Sequence, residues 1–115
     1  MSQDKPKLSS HSLKLSDDDL VRIKIACAKN SDFKFQYQFF DAAVFWAEQN
    51  KASIQPVANK KSGSYRSYYL DKAEEALEGL EKHWDCSITR ALYTAVVGYI
   101  SACETATEAL QQEAI

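Results

Sequence analysis

The chain has few residues that break helices: only three glycines and two prolines in 115 residues. So few breakers leave room for long helices, and the abundance of Ala, Glu, Lys and Leu favours them. Cysteine is equally scarce. Cys27, Cys86 and Cys103 are odd in number and widely spaced, a poor disulfide framework, and no Cys-x-x-Cys or His-Cys cluster marks a metal site. Each cysteine lies in an apolar helical context, as expected of small buried thiols in a reducing compartment. Long apolar runs are missing as well. The longest, Ala91 to Ala102, falls short of the roughly 20 residues that cross a bilayer. The segment Met1 to Ser10 is polar, carries Lys5, Pro6 and Lys7, and lacks the apolar core of a signal peptide. The expected location is the cytoplasm, with no membrane contact. There is no Gly-rich phosphate loop, nucleophile elbow or metal motif, and neither His11 nor His83 has a carboxylate or cysteine at catalytic or ligand spacing. The expectation is therefore a binding protein, not an enzyme, with no catalytic residue, metal or cofactor.

What is present is one domain's worth of chain, long enough to bury a core without staples. Its 45% apolar and 26% charged residues are ordinary for a globular protein. The net charge of −2 hides an asymmetry. Residues 1–66 carry 11 Lys and Arg against 7 Asp and Glu, a balance of +4, and residues 67–115 carry 3 against 9, a balance of −6. Long-range attraction to phosphate comes from the first half if from anywhere. The acidic pI of about 5.6 counts against non-specific nucleic-acid binding but leaves room for a small reading surface.

Residues 1–9 read as a flexible arm. From His11 to Ser16, Leu13 and Leu15 alternate with Ser12 and Lys14, which predicts a short strand with one apolar face. Ser16 is suited to cap a following helix, and Asp17, Asp18 and Asp19 place negative charge at that helix's positive end. Leu20, Ile23, Ala26 and Cys27 continue at helical spacing. Phe33, Phe35, Tyr37 and Phe39 alternate with polar residues, but Phe39, Ala42, Ala43 and Trp46 are helical in spacing, predicting a helix from about Lys34 to Asn50. Its aromatic residues, Phe33, Phe35, Phe39, Phe40, Phe45 and Trp46, are expected in the core or in part at a partner interface.

Lys51 to Ser64 has the composition of a linker, and beyond it the order of elements restarts. Arg66 to Leu70 favours a strand, and Asp71 is placed to cap a helix with Leu77, Leu80 and Trp84 on its apolar face. Glu74, Glu75, Glu78 and Glu81 would lie on its exposed side. Asp85-Cys86-Ser87 ends that helix, and Ser87 can cap another bearing Leu92, Ala95, Val96, Tyr99 and Ile100. The tail from residue 104 either extends that helix or frays. The domain plan is an arm (1–9), a first half (10–50), a linker (51–64), a second half (65–103) and the tail (104–115). Phe39-x-x-Ala42-Ala43-x-x-Trp46 parallels Leu92-x-x-Ala95-Val96-x-x-Tyr99, so the chain reads as an internal doubling.

The segment Leu13-Lys14-Leu15-Ser16-Asp17-Asp18-Asp19-Leu20, with Ile23 and Ala26, resembles the ribbon-helix-helix family of DNA-binding proteins (the Arc, MetJ and CopG type). Phe39-Phe40-Asp41-Ala42-Ala43 is similar to that family's second-helix core. The likeness covers residues 10–48 and, more loosely, 65–101, as in the tandem single-chain members found among plasmid-transfer accessory proteins. It implies a mainly α fold with a two-stranded antiparallel ribbon, in the order β-α-α-β-α-α. An all-α four-helix bundle is the alternative.

The resemblance further implies sequence-specific binding of double-stranded DNA, the ribbon lying in the major groove. With Leu13 and Leu15 turned inward, Ser10, Ser12 and Lys14 face the bases. In the second strand Tyr65, Ser67 and Tyr69 are expected to do so, with Tyr68 and Leu70 inward, because Leu70 then sits just before the cap Asp71; a one-residue slip would instead expose Arg66, Tyr68 and Leu70. The second helices would present their N-termini to phosphates, through Lys34 and Gln36 in one half and Ser87, Thr89 and Arg90 in the other. The first of these ends lacks the small hydroxyl residue that members often place there. The implied role is transcriptional repression or assistance to a plasmid-transfer relaxase, as a monomeric pseudo-dimer or a homodimer. A helical protein-interaction module or small regulatory subunit is the competing reading, suited to the acidic second half and the aromatic first half.

Overall fold

In the computed structural model, residues 8–57 and 63–113 are described, the side chains of 107–113 excepted. The expected arm lies outside the described residues up to residue 7, as does the linker over 58–62. Strand β1 (Ser9–Leu15) leads into α1 (Asp17–Lys29) and α2 (Gln36–Asn50), then a 3₁₀ turn (Lys51–Ser53). Strand β2 (Ser64–Leu70) is followed by α3 (Glu74–Trp84) and α4 (Ile88–Glu113). Among the described residues the chain is mainly helical, with a two-stranded antiparallel sheet and four α-helices.

Local chemistry sets most of these boundaries. The Ser16 hydroxyl accepts from the Asp19 backbone N–H at 3.1 Å and starts α1, as its residue type predicts. Ser87 does the same for α4, accepting from the Arg90 N–H at 3.1 Å. Asp85 ends α3 in the left-handed conformation (φ 51°), its N–H donating to the Lys82 carbonyl while the Cys86 N–H donates to that of Glu81. At the entry to β2, Gly63 has φ 101°, and a Cβ there would strike the Leu15 carbonyl.

Three expectations need correction. The second helix starts at Gln36, not Lys34, because the Gln38 carboxamide folds back and accepts from the N–H groups of Lys34 (2.7 Å) and Phe35 (2.9 Å). Asp71 does not cap α3. The Asp41 carboxylate on α2 receives the N–H groups of Asp71, Lys72 and Ala73 at 2.9, 3.2 and 3.2 Å. The expected linker range 51–64 overlaps defined structure at both ends, with the 3₁₀ turn over Lys51–Ser53 and β2 from Ser64, and the Val57 N–H donates to the Thr94 hydroxyl on α4 at 2.9 Å. The tail continues α4 as helix to Glu113.

The core lies between the inner face of the sheet and the helices. Leu13, Leu15, Tyr68 and Leu70 from the strands meet Ile23, Phe39, Phe40, Ala43, Leu77, Leu80, Leu92, Val96 and Ile100. Burial of each such side chain stabilises by roughly 1.5–3 kcal/mol. Helices α2 and α4 meet through Phe39 and Trp46, whose rings lie 5.4 and 6.1 Å from that of Tyr99. Gly98 permits this closeness, since a Cβ there would stand 2.7 Å from the Trp46 ring. Burial, and then the adjoining Cys103 thiol, pushes the Tyr99 hydroxyl up to about 12. Not every expected core residue is inside: Phe35 is 61% exposed and Phe45 38%. The three cysteines are half-buried, not fully buried.

Candidate functional site

The sheet is a ribbon of two seven-residue strands in full antiparallel register, with Ser12 opposite Ser67 at its centre. Side chains alternate between faces along a strand, and directly opposed residues share a face. Leu13 and Leu15 are buried, and so are Tyr68 and Leu70. That burial fixes the second strand's orientation and removes the slipped register that would have exposed Tyr68 and Leu70.

The outer face then carries Ser10, Ser12 and Lys14 from β1 and Tyr65, Ser67 and Tyr69 from β2. Pairing sets Ser10 beside Tyr69, Ser12 beside Ser67 and Lys14 beside Tyr65. All are exposed except Lys14, which is half-buried. Tyr65 is 64% exposed and Tyr69 44%, so two large rings stand in solvent on a surface otherwise made of small hydroxyls and one cation. The Lys14 ammonium lies 5.6 Å from the centre of the Tyr65 ring, within cation–π range.

The remaining candidates lie at two helix starts. Lys34 and Gln36 flank the start of α2, and Ser87, Thr89 and Arg90 that of α4. Lys34, Gln36, Ser87 and Arg90 are exposed and Thr89 is half-buried. The first N–H groups of a helix have no partner within it and can meet an anion. The two ends are unequal: Gln38 already takes two N–H groups ahead of α2, whereas Ser87 takes only that of Arg90, three residues on.

The structure also adds residues that sequence spacing did not reveal. The His11 Nε2 lies 2.6 and 2.8 Å from the Glu74 carboxylate oxygens, joining the ribbon to the start of α3. Glu74 is therefore half-buried against the ribbon, whereas the sequence placed it on an exposed helix side. The partner is 63 residues away, where no spacing rule could find it. Arg66 is opposite Leu13, on the helix-facing side of the ribbon, yet it is exposed. Its charge adds to that of Lys14 at the ribbon without adding to the outer face. Among the described residues no group of three or more His, Cys, Asp or Glu is placed to hold a metal ion, and no helix is long and apolar enough to cross a membrane.

No protein-family model, curated protein or solved structure matches the chain.

Proposed function

We propose that the chain is a tandem ribbon-helix-helix protein that binds double-stranded DNA at a specific sequence, with its β-ribbon in the major groove. One observation carries this reading: the register with Ser12 opposite Ser67 gathers Ser10, Ser12, Lys14, Tyr65, Ser67 and Tyr69 on one outward face, over a ribbon whose inner side is locked into a helical core. A two-stranded ribbon fits the major groove, where base edges offer donors, acceptors and thymine methyls. Hydroxyls, an ammonium and aromatic rings are groups that answer those features. The starts of α2 and α4, with Lys34, Gln36, Ser87, Thr89 and Arg90, would hold the flanking phosphates, α4 more strongly than α2. In this reading one chain supplies both strands and acts as a monomer, repressing transcription or assisting a relaxase.

Binding is expected to be salt-dependent. In a gel-shift series on a selected duplex, Lys14→Ala should weaken binding by about tenfold or more, the scale of one good base contact. No duplex binding at low salt would remove the proposal. Val21 and Ile25, exposed and four residues apart on α1, favour a second reading as a protein-interaction module. Indifference to DNA together with a stable protein complex that Val21→Asp disrupts would favour that reading.

A further inference from the structure

Resting on that DNA-binding reading, we propose that the target is a short non-palindromic duplex site, bound in one orientation, with a guanine under the Lys14 end of the ribbon and a thymine under the Tyr69 end. Two antiparallel strands in full register have a local two-fold axis through their central pair, here Ser12 and Ser67. In a dimer of identical chains, that axis would repeat the same side chains on either side and match an inverted repeat in the DNA. In this chain it relates Lys14 to Tyr69 and Ser10 to Tyr65. The backbone is symmetric at the reading surface, but its chemistry is not.

The two ends therefore ask for different bases. An ammonium has three donors and no acceptor, so Lys14 suits the paired acceptors O6 and N7 of guanine. The Tyr65 ring beneath it, 5.6 Å from the ammonium, restrains where that charge points. At the opposite end Tyr69 stands beside Ser10, 44% exposed. Its ring offers an apolar surface for the thymine methyl group, the one major-groove feature that rewards apolar contact. In the middle, the Ser12 and Ser67 hydroxyls can each donate or accept, so the central base pair is loosely specified. From Ser10 to Lys14 the strand advances about 13 Å at ~3.3 Å per residue. This spans about four base pairs at ~3.4 Å each.

The test uses the full chain and a pool of duplexes randomised over one helical turn, with bound molecules recovered at low salt and sequenced. The expected result is a non-palindromic consensus with guanine on one side of its centre and thymine on the other. Lys14→Ala should lower the preference for that guanine by about tenfold or more and leave the thymine preference intact. Tyr69→Ala should do the reverse, with circular dichroism confirming that each variant is folded. A palindromic consensus, or a Lys14→Ala change that relaxes both ends equally, overturns the asymmetric site and leaves the DNA reading standing. No enrichment of any sequence overturns both.

Discussion

Ser16 starts α1 with its own hydroxyl, whereas α3 starts after Ala73 with no side-chain cap of its own and draws on the carboxylate of Asp41 from α2. The first half is thus closed by chemistry one turn long, and the second by a residue 30 positions upstream. The contrast recurs at the inner face of the ribbon. Leu13 and Tyr68 occupy equivalent places in the register, but the leucine is wholly apolar while the Tyr68 hydroxyl is buried with no hydrogen-bond partner among the described residues. Burial also pushes its ionisation up. Two halves can thus share an outline while one starts its first helix with its own side chain and the other draws on its neighbour to do so.

Substitutions can break or sharpen that contrast. The largest effect is expected from Asp41→Ala, which removes the charged acceptor of three backbone N–H groups at the β2–α3 turn, two of them partly buried. A hydrogen bond to a charged group contributes about 1.5–3 kcal/mol, so a loss of at least that size should appear in urea unfolding. Ser16→Ala should cost less, about 1 kcal/mol, because it removes a neutral hydroxyl that serves a single backbone N–H. If the two losses were equal, the distinction between borrowed and local caps would fail. Tyr68→Phe should raise stability by up to about 1 kcal/mol, since it removes an unsatisfied buried hydroxyl and keeps the ring, whose centre lies 5.0 Å from that of Phe40.

The smallest effect concerns a tie between the halves. Arg22 on α1 meets the Glu104 carboxylate on α4 at 2.6 and 2.8 Å, and this contact holds that carboxyl below its ordinary range. Glu104 is half-exposed, so solvent screens the pair, and Glu104→Gln should cost well under ~1 kcal/mol. A carboxyl with a lowered folded-state pKa contributes stability above its ordinary value, near 4.5, and loses it as pH falls through the lowered one. The wild-type and Glu104→Gln melting curves should therefore differ at neutral pH and converge in acid.

What could be read from the sequence was what short-range chemistry determines. The Leu13–Leu15 alternation, the Ser16 and Ser87 caps and the break at Asp85 each depend on residues within a turn of one another. The structure places them as those patterns predict. The outward placement of Ser12 and Lys14 followed from the same alternation. For Tyr65, Ser67 and Tyr69 the sequence favoured the outward register on the ground that Asp71 caps α3, which it does not; the burial of Tyr68 and Leu70 against the core is what sets that register. Asp41 and the His11–Glu74 contact were hidden because each joins elements far apart in the chain. Phe35 and Phe45 misled because an aromatic residue signals burial only on average. Phe35 stacks on Tyr37 at the surface, with rings 5.8 Å apart.

The ribbon also dictates an order of events during synthesis. Its two strands are the first and the fifth elements of the chain, and Ser9 finds its partner only when Leu70 has been made. Until then the N-terminal strand has no backbone to pair with, and a lone strand is not stable. Helices α1 and α2 can form as they leave the ribosome, while the surface that faces DNA in our proposal must wait for more than half of the chain.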